Sequence, residues 1–266
     1  MTANDMNGVA RHGPVVLSVP QRLPASAERL AERARVRLRL ATLADVPTMA
    51  RIHLRSLPTE FLPKLGRPFL ERVFFPGLLA SPRACTYVAE DDAGVAGLIV
   101  TRAGMRGALG EMISAAPFSF LWTVALGMAT RPSLMLDGIG VARQLLSRSA
   151  EAEPANLAEL FLLCVHERAR RRGVARALIE HSARELERTG VALYRVLLHA
   201  DNEAAHATYR KCGFVETRIH RFGGVFFSEY DRTLAPRSAA AAVLHRSERD
   251  GRSLHLPDRA GALAMG

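Results

Sequence analysis

The chain has 266 residues, a formal net charge of +10 and 48% hydrophobic residues, enough for an enzyme-sized domain with a sizeable core. Three cysteines without a CxxC pair and nine histidines without a ligand pattern argue against a disulfide framework and a metal site. Aromatic residues make up 6% and do not alternate with basic ones, which disfavours nucleic-acid binding. Residues 1–24 lack the layout of a signal peptide, so a cytoplasmic protein is expected.

The N-terminal part of the chain predicts a tail, one strand and three helices. The tail, residues 1 to about 25, precedes a short helix over 26–34 and an alternating strand over 36–40. Asp45 is placed to cap a helix that runs to Ser56. Pro68 suits the first turn of a further helix. The apolar face of that helix comprises Phe69, Leu70, Val73, Phe74 and Leu78.

A hairpin and then a long insertion follow. Strand patterns over 85–90 and 95–102 are joined by the turn-forming residues 91–94. Within the next segment, 103–150, residues 112–130 carry no charge and reach the length of a membrane span. Pro117 and flanking arginines on both sides favour buried or lid-forming helices over 117–129 and 132–147 instead. Peripheral membrane contact through 112–130 stays open as an alternative.

A buried strand that leads into a basic turn and a helix is typical of an anion site. The apolar run 160–165 is followed by the turn, by Gly173 and by a helical pattern. Backbone N–H groups at a helix start have no intrahelical partner and favour phosphate. The arginines of this turn and helix start are Arg168, Arg170, Arg171, Arg172 and Arg176. Neither a GxxxxGK(S/T) loop nor a GxGxxG turn is present, and a solvated arginine face is the alternative.

A second polar segment follows the next strand pattern, which covers residues 192–199. Its spaced residues are Asn202, Ala204, Ala205, Tyr209, Lys211, Gly213 and Phe214. Two more strand patterns, over 214–220 and 225–233, complete the sheet. Residues 236–266 are rich in Ala, Ser, Arg and Gly, a composition that predicts a disordered or weakly helical tail.

The two segments together resemble the GNAT superfamily of acetyl-CoA-dependent N-acetyltransferases. Arg170-x-x-Gly173-x-Ala175 is similar to its acyl-CoA pyrophosphate signature, and 202–214 is similar to its N-x-A-A-x-x-x-Y-x-K-x-G-F element. The resemblance covers roughly 36–232. It implies an α/β (α+β) GNAT fold with a mixed, mostly antiparallel sheet of six to seven strands flanked by helices. The implied domains are a tail with a short helix at 1–34, the acetyltransferase domain at 35–234 with a helical insertion at 103–150 between the third and fourth strands, and a tail at 235–266.

The resemblance also implies how the donor binds. Residues Leu163, Cys164 and Val165 would offer backbone hydrogen bonds to the pantetheine arm of acetyl-CoA. Asn202 would contact the pantetheine amide or order its loop, although a simple helix cap explains it equally. Tyr209 would protonate the departing thiolate, with a packing role as the alternative. The pyrophosphate would be held, largely through backbone N–H groups, by Arg170, Arg171, Arg172, Gly173, Val174, Ala175 and Arg176.

The general base is less evident from the sequence. Glu159 is the acidic residue on the predicted fourth strand, at its start. Some protein-acetylating members carry a glutamate five residues before the asparagine, where this chain has Leu197. His199 lies two residues further along the same strand face and has a near-neutral pKa as a free side chain, which suits a base. A water chain from bulk solvent would require no named base.

The resemblance implies transfer of an acetyl group to a primary amine by direct attack on the thioester. The segment 60–70 and the long insertion are similar to GNAT members that act on amino sugars, which gives an amino sugar as the expected acceptor. A protein or small-amine N-acetyltransferase and a non-catalytic CoA-binding regulatory domain are the alternatives. Acetyl-CoA and the amine are the expected partners, with no metal, and the protein is expected to be a monomer or a homodimer.

Overall fold

The structure is a computed structural model that describes residues 25–58, 60–104, 110–111, 154, 156–222 and 224–235. Within these ranges the helices are α1 (Ala25–Ala34), α2 (Val46–Ser56), α3 (Phe61–Lys64), α4 (Arg67–Phe69), α5 (Phe75–Ala80), α6 (Val174–Arg188) and α7 (Glu203–Lys211). The strands are β1 (Arg37–Leu40), β2 (Ala84–Asp91), β3 (Gly94–Arg102), β4 (Leu157–Val165), β5 (Leu193–His199), β6 (Val215–Phe222) and β7 (Val225–Thr233). The predicted tails at 1–24 and 236–266 and the predicted helices at 117–129 and 132–147 lie outside the described residues.

The strands form one seven-stranded sheet in the order β1-β2-β3-β4-β5-β7-β6. Its neighbouring strands are antiparallel except for β4 and β5, which run parallel. The hairpin predicted around residues 91–94 joins β2 to β3 with Asp91 opposite Gly94. The mixed, mostly antiparallel sheet expected from the sequence is therefore confirmed.

Helices cover both faces of the sheet. On one face α1, α6 and α7 bury a core that includes Ala31, Leu178 and Tyr209. On the other face α2, α4 and α5 bury a second core around Met49 and Phe74. Each fully buried Leu or Phe side chain stabilises the fold by about 2 kcal/mol, so both layers hold the sheet in a fixed shape.

Two local details differ from the sequence prediction. Asp45 ends a 3-10 turn over Leu43–Asp45, and its carboxylate accepts from the backbone N–H of Thr42 at 2.8 Å rather than capping α2. Between α4 and α5 the chain forms a π turn over Leu70–Phe74, in which the N–H of Phe75 donates to the carbonyl of Leu70. Pro76 has no N–H and its ring crowds the preceding turn, which a widened π turn accommodates.

Candidate active site

The fourth and fifth strands separate part-way along their length. They pair from Leu157 with Leu193 to Leu160 with Val196. Beyond that point β4 stays on β3 as far as Val165, and β5 stays on β7 as far as His199. Among the described strands, the facing edges of β4 and β5 therefore have no partner there, and their backbone polar groups can bind an extended ligand. This opening is called the β4–β5 cleft below.

A bulge in β4 sets the orientation of the residues that line the cleft. The register on β3 passes from Val100 opposite Leu162 to Thr101 opposite Leu160, so Phe161 has no opposite residue. A bulge of this kind turns the following side chains to the other face. Leu163 and Val165 consequently pack, half-buried, against the core under α6, while Cys164 is buried in the core on the opposite face. The three residues predicted to contact the pantetheine arm thus all lie on the edge of the cleft.

The basic turn leads from the end of β4 into α6. Arg171 and Gly173 have left-handed backbone conformations, with φ of 61° and 88°. The first backbone hydrogen bond of α6 runs from the N–H of Ala177 to the carbonyl of Gly173 at 3.0 Å. The N–H groups of Val174, Ala175 and Arg176 therefore point out of the helix start without an intrahelical partner, where the helix dipole favours an anion.

The arginines of this turn have different neighbours. Arg168 and Arg172 both form ion pairs with Asp91 at the β2–β3 turn, and Arg172 also donates to the carbonyl of Ala34 at 3.3 Å. The two ion pairs hold the pKa of Asp91 below its usual value, mainly through the hydrogen bond from Arg168.

The other arginines of the turn make fewer hydrogen bonds and ion pairs within the protein. Arg170 donates through Nε to the carbonyl of Val165 at 3.3 Å. Arg171 and Arg176 are exposed, and among the described residues neither has a hydrogen-bond or ion-pair partner. Their guanidinium groups and the helix N–H groups are the parts of the turn that can receive an anion, and Asp91 competes with an anion for Arg172.

Gly97 explains why this turn can lie against the sheet. It faces Val165 across β3 and β4. A Cβ at position 97 would lie 3.1 Å from the carbonyl oxygen of Cys164 and 3.1 Å from Cγ1 of Val174. Because glycine has no side chain, α6 begins directly over the end of β4. The sequence prediction did not include this residue, although a glycine inside a strand signals a close approach.

Tyr209 lies buried on α7, with 6% of its surface exposed. Its ring packs edge-on against Phe214, with centroids 5.5 Å apart. Burial raises the pKa of Tyr209 well above its usual value, and the nearby thiols of Cys164 and Cys212 raise it further. The hydroxyl has no hydrogen-bond partner among the described residues and is not among the fully enclosed unpaired polar atoms. Tyr209 therefore carries its proton at neutral pH next to β4 and can donate it.

Asn202 caps α7. Its side-chain oxygen accepts a hydrogen bond from the backbone N–H of Ala205 at 3.1 Å. This is the capping role that the sequence left open, and it fixes the start of the helix that carries Tyr209. A contact between Asn202 and a donor molecule stays a prediction.

His199 and Glu60 meet at the end of β5. Nε2 of His199 lies 3.0 Å from Oε1 of Glu60, and both side chains are about one-third exposed, at 35% and 37%. The imidazole also packs on Phe227, with ring centroids 4.4 Å apart. A carboxylate only accepts hydrogen bonds, so Nε2 is the ring nitrogen that donates to Glu60, and Nδ1 takes no part in this contact. The sequence prediction missed Glu60 as a partner, although Glu60 begins the 60–70 segment that was assigned to the acceptor.

Glu159 is not part of this arrangement. It is buried in the paired section of the strands, opposite Arg102 on β3 and Arg195 on β5. Strands rise about 3.3 Å per residue, so Glu159 lies roughly 20 Å along the strand from Val165. The structure brings His199 to the cleft and leaves Glu159 at the closed end. A catalytic role for Glu159 therefore finds no support in the geometry.

Within the described ranges, no group of three or more His, Cys, Asp and Glu side chains is placed to hold a metal ion. In the same ranges, no helix combines the length and the apolar character needed to cross a bilayer. The uncharged segment 112–130 lies outside those ranges. Cys85, Cys164 and Cys212 are buried free thiols.

Part of the chain is similar to known N-acetyltransferases. The chain is similar, at 44% identity over 64 residues, to the ribosomal protein bS18-alanine N-acetyltransferase of Escherichia coli strain K12. The matching segment is 24% of this chain and 43% of that relative's length. The corresponding enzyme of Salmonella typhimurium is 42% identical over 64 residues, again 24% of this chain and 43% of the relative.

Solved structures give weaker likenesses. A crystal structure of the Escherichia coli ribosomal-protein-S18-alanine N-acetyltransferase has a TM-score of 0.49 at 18% identity, covering 77% of this chain and 97% of the other. A GNAT acetyltransferase from Streptococcus pneumoniae has a TM-score of 0.48 at 16% identity, covering 75% and 99%.

The family model for the acetyltransferase (GNAT) family matches residues 47–214, which is more than half of the chain. That range includes the cleft between β4 and β5, the basic turn and Tyr209. The chain therefore belongs to the GNAT family of acetyltransferases.

Proposed function

We propose that the protein transfers an acetyl group from acetyl-CoA to a primary amine by direct attack of the amine on the thioester. The observation that carries the proposal is that Tyr209 belongs to the same core as Leu163 and Val165 on the edge of the cleft, whose end leads into the basic turn of α6. The cleft would take the pantetheine arm, and the N–H groups of Val174, Ala175 and Arg176 would take the pyrophosphate. Arg171 and Arg176 would add charge, while Arg170 and Arg172 would contribute mainly by holding the turn.

The two sides of the cleft suit the two substrates. The α6 side carries the basic turn and Tyr209, so the donor would enter there. The α3 side carries Glu60 and His199, so the amine would approach there. An amine arrives mostly as a cation, which the carboxylate of Glu60 attracts. It loses one proton to solvent there and becomes the neutral nucleophile. This separation would bring the amine to the thioester carbonyl from the face opposite Tyr209.

In the proposed reaction the neutral amine nitrogen attacks the carbonyl carbon to form the C–N bond and a tetrahedral oxyanion, and the C–S bond breaks when this oxyanion collapses. Nδ1 of His199 accepts the proton released by the amine, and Glu60 stabilises the resulting imidazolium. Tyr209 gives its proton to the departing thiolate and regains one from solvent. Backbone N–H groups on the β4 edge stabilise the oxyanion.

The acceptor class is a proposal of its own. The 60–70 segment gave an amino sugar as the expected acceptor, whereas the curated relatives are named for an alanine of ribosomal protein bS18. Both present a primary amine to the same base. We keep the amino sugar as the prediction and the peptide N-terminus as the alternative that a screen must separate.

The test is an acceptor screen that measures the release of CoA thiol from acetyl-CoA. The panel should contain amino sugars, peptides with N-terminal alanine, polyamines and water alone. Turnover with an amine that falls sharply in the Tyr209→Phe variant supports the proposal. A wild-type protein that binds CoA but turns over no amine would identify it as a regulatory CoA-binding domain.

The domain bounds, cellular location, oligomeric state and membrane contact of the protein are further proposals. We propose residues 35–234 as the catalytic domain, with the 103–150 insertion next to the acceptor. A cytoplasmic location, a monomeric or homodimeric state and peripheral membrane contact through 112–130 stay predictions. Gel filtration with and without lipid vesicles tests the last two.

A further inference from the structure

A basic groove lies between α1 and α6, on the solvent side of the first helical layer. It has a volume of about 300 Å³ and is lined by Arg29, Leu30, Arg33, Arg176, Glu180 and Arg184. The lining residues of α6 are spaced by four, and so are the two arginines of α1, so each helix presents one continuous stripe. These six residues define the α1–α6 groove.

Within the part of the chain that the structure describes, no carboxylate neutralises the arginines of the groove. Its one acidic residue, Glu180, is held by Arg232 through two hydrogen bonds of 3.0 Å. Among the described residues, Arg29, Arg33, Arg176 and Arg184 have no hydrogen-bond or ion-pair partner. Like charges four residues apart destabilise a helix, and α1 carries such a pair in Arg29 and Arg33.

Some arginines elsewhere in the molecule are matched with carboxylates. Arg39 binds Asp45 through two hydrogen bonds, and Arg195 binds Asp231 in the same way. Exposed arginines without a carboxylate partner among the described residues also occur elsewhere, for example Arg72, Arg171 and Arg218. The groove differs because four arginines without such a partner line one cavity.

The groove is continuous with the basic turn. Arg172 of the turn donates to the carbonyl of Ala34 at the end of α1, which brings the last turn of α1 next to the start of α6. Arg176 lines the groove and also lies in the first turn of α6. A ligand that reaches the groove can therefore approach from the turn.

We propose that the α1–α6 groove binds a phosphate monoester. Guanidinium groups bind phosphate oxygens in pairs, and a dianion matches several of them better than a carboxylate does. The volume suits one phosphate with its attached sugar rather than a macromolecule. The phosphate comes either from the 3′-position of CoA or from a separate small phosphorylated ligand. The first source rests on the proposed acetyl transfer, whereas the second does not.

The test compares the double variant Arg29→Gln/Arg33→Gln with the wild type. Both positions are exposed on α1 and lie outside the proposed catalytic groups. Arg72→Gln/Arg218→Gln is the matched control, because it removes two exposed arginines from other parts of the structure. Calorimetry gives the Kd of CoA and of dephospho-CoA, and thermal unfolding gives the response to inorganic phosphate, all at constant ionic strength.

If the phosphate belongs to the donor, the wild type binds CoA more tightly than dephospho-CoA. In the α1 variant the ratio of the two Kd values falls by about fivefold, while the control keeps the wild-type ratio. If it belongs to a separate ligand, CoA and dephospho-CoA bind equally, and stabilisation by inorganic phosphate is lost in the α1 variant alone.

The proposal is overturned if the α1 variant and the control respond alike to every probe. Weakened binding to mixed-sequence RNA alone would also overturn it, in favour of a nucleic-acid surface. Unchanged dephospho-CoA binding throughout leaves the acetyl-transfer proposal intact.

Discussion

The imidazole of His199 and the carboxylate of Glu60 lie 3.0 Å apart between Nε2 and Oε1, at the open end of the β4–β5 cleft. The two residues are far apart in the sequence: His199 ends β5, and Glu60 lies in the turn before α3. The contact orients the imidazole ring, which also packs against the ring of Phe227 with centroids 4.4 Å apart.

The first prediction concerns Glu60. Replacing Glu60 with Gln removes the charge that would stabilise the imidazolium of His199, so we expect kcat at neutral pH to fall about tenfold or more. The KM for acetyl-CoA should change little, because Glu60 lies on the side opposite the basic turn. Steady-state kinetics over a range of pH measures both. Glu71→Gln, on the π turn after α4, is the control and should leave kcat unchanged. A Glu60→Gln enzyme with wild-type kcat and pH profile would show that the Glu60–His199 pair takes no part in the reaction.

The second prediction concerns Tyr209. Tyr209→Phe keeps the ring that packs on Phe214 and deletes only the hydroxyl. We expect kcat to fall about a hundredfold, because the thiolate would leave without its proton donor. The Kd for CoA and the Tm should stay near the wild-type values. Since burial raises the pKa of Tyr209, the wild-type enzyme should not lose activity through tyrosine ionisation at moderately alkaline pH. A fall in kcat matched by a fall in Tm would mean that the tyrosine is structural.

The third prediction concerns Gly97. A Cβ there meets the Cys164 carbonyl and the Val174 side chain, each at 3.1 Å. Gly97→Ala should therefore push the start of α6 away from β4 and destabilise the fold by about 1–3 kcal/mol. The donor should bind more weakly, because the N–H groups of α6 move with the helix. Urea unfolding and calorimetry with CoA measure the two effects. A variant as stable as the wild type, with an unchanged Kd, would show that α6 is not held by this approach.

The fourth prediction concerns acid stability. Two hydrogen bonds from Arg39, of 2.7 and 2.8 Å, lower the pKa of Asp45 from 3.8 to about 2. The folded state therefore favours the ionised carboxylate, and this stabilisation is complete above pH 3.8 and is lost as the pH falls towards 2. Asp45→Asn should cost about 2 kcal/mol at pH 7 and less as the pH falls through this window. Denaturant unfolding at several pH values tests it, with exposed Asp92→Asn as the control. Equal costs at pH 7 and pH 2 would contradict the ion-pair origin.

The sequence predicted those features that depend on local patterns. Alternation and apolar runs identified the strands, and the spacing of Gly173, Asn202 and Tyr209 identified the two halves of the family motif. These signals are contained within a few neighbouring residues, so they can be recognised in the amino-acid sequence without knowledge of the fold.

The features that the sequence did not predict depend on distant residues. Glu60 reaches His199 only because β5 ends beside the turn before α3, and Asp91 reaches Arg168 and Arg172 only because β3 lies next to β4. Asp45 has a suitable position for capping α2, yet the guanidinium of Arg39 on β1 and the N–H of Thr42 occupy its carboxylate. A charged partner brought in by the sheet outweighs the local preference for a helix cap.

The most direct test of direct acetyl transfer uses the wild-type enzyme, acetyl-CoA and an amine found in the acceptor screen. Intact-protein mass spectrometry and a thiol assay follow the mixture before and after the amine is added. We expect no change in protein mass and no thiol release with acetyl-CoA alone, and then one thiol for each acetylated amine. An acetylated enzyme that forms with thiol release before the amine is present would contradict direct attack on the thioester.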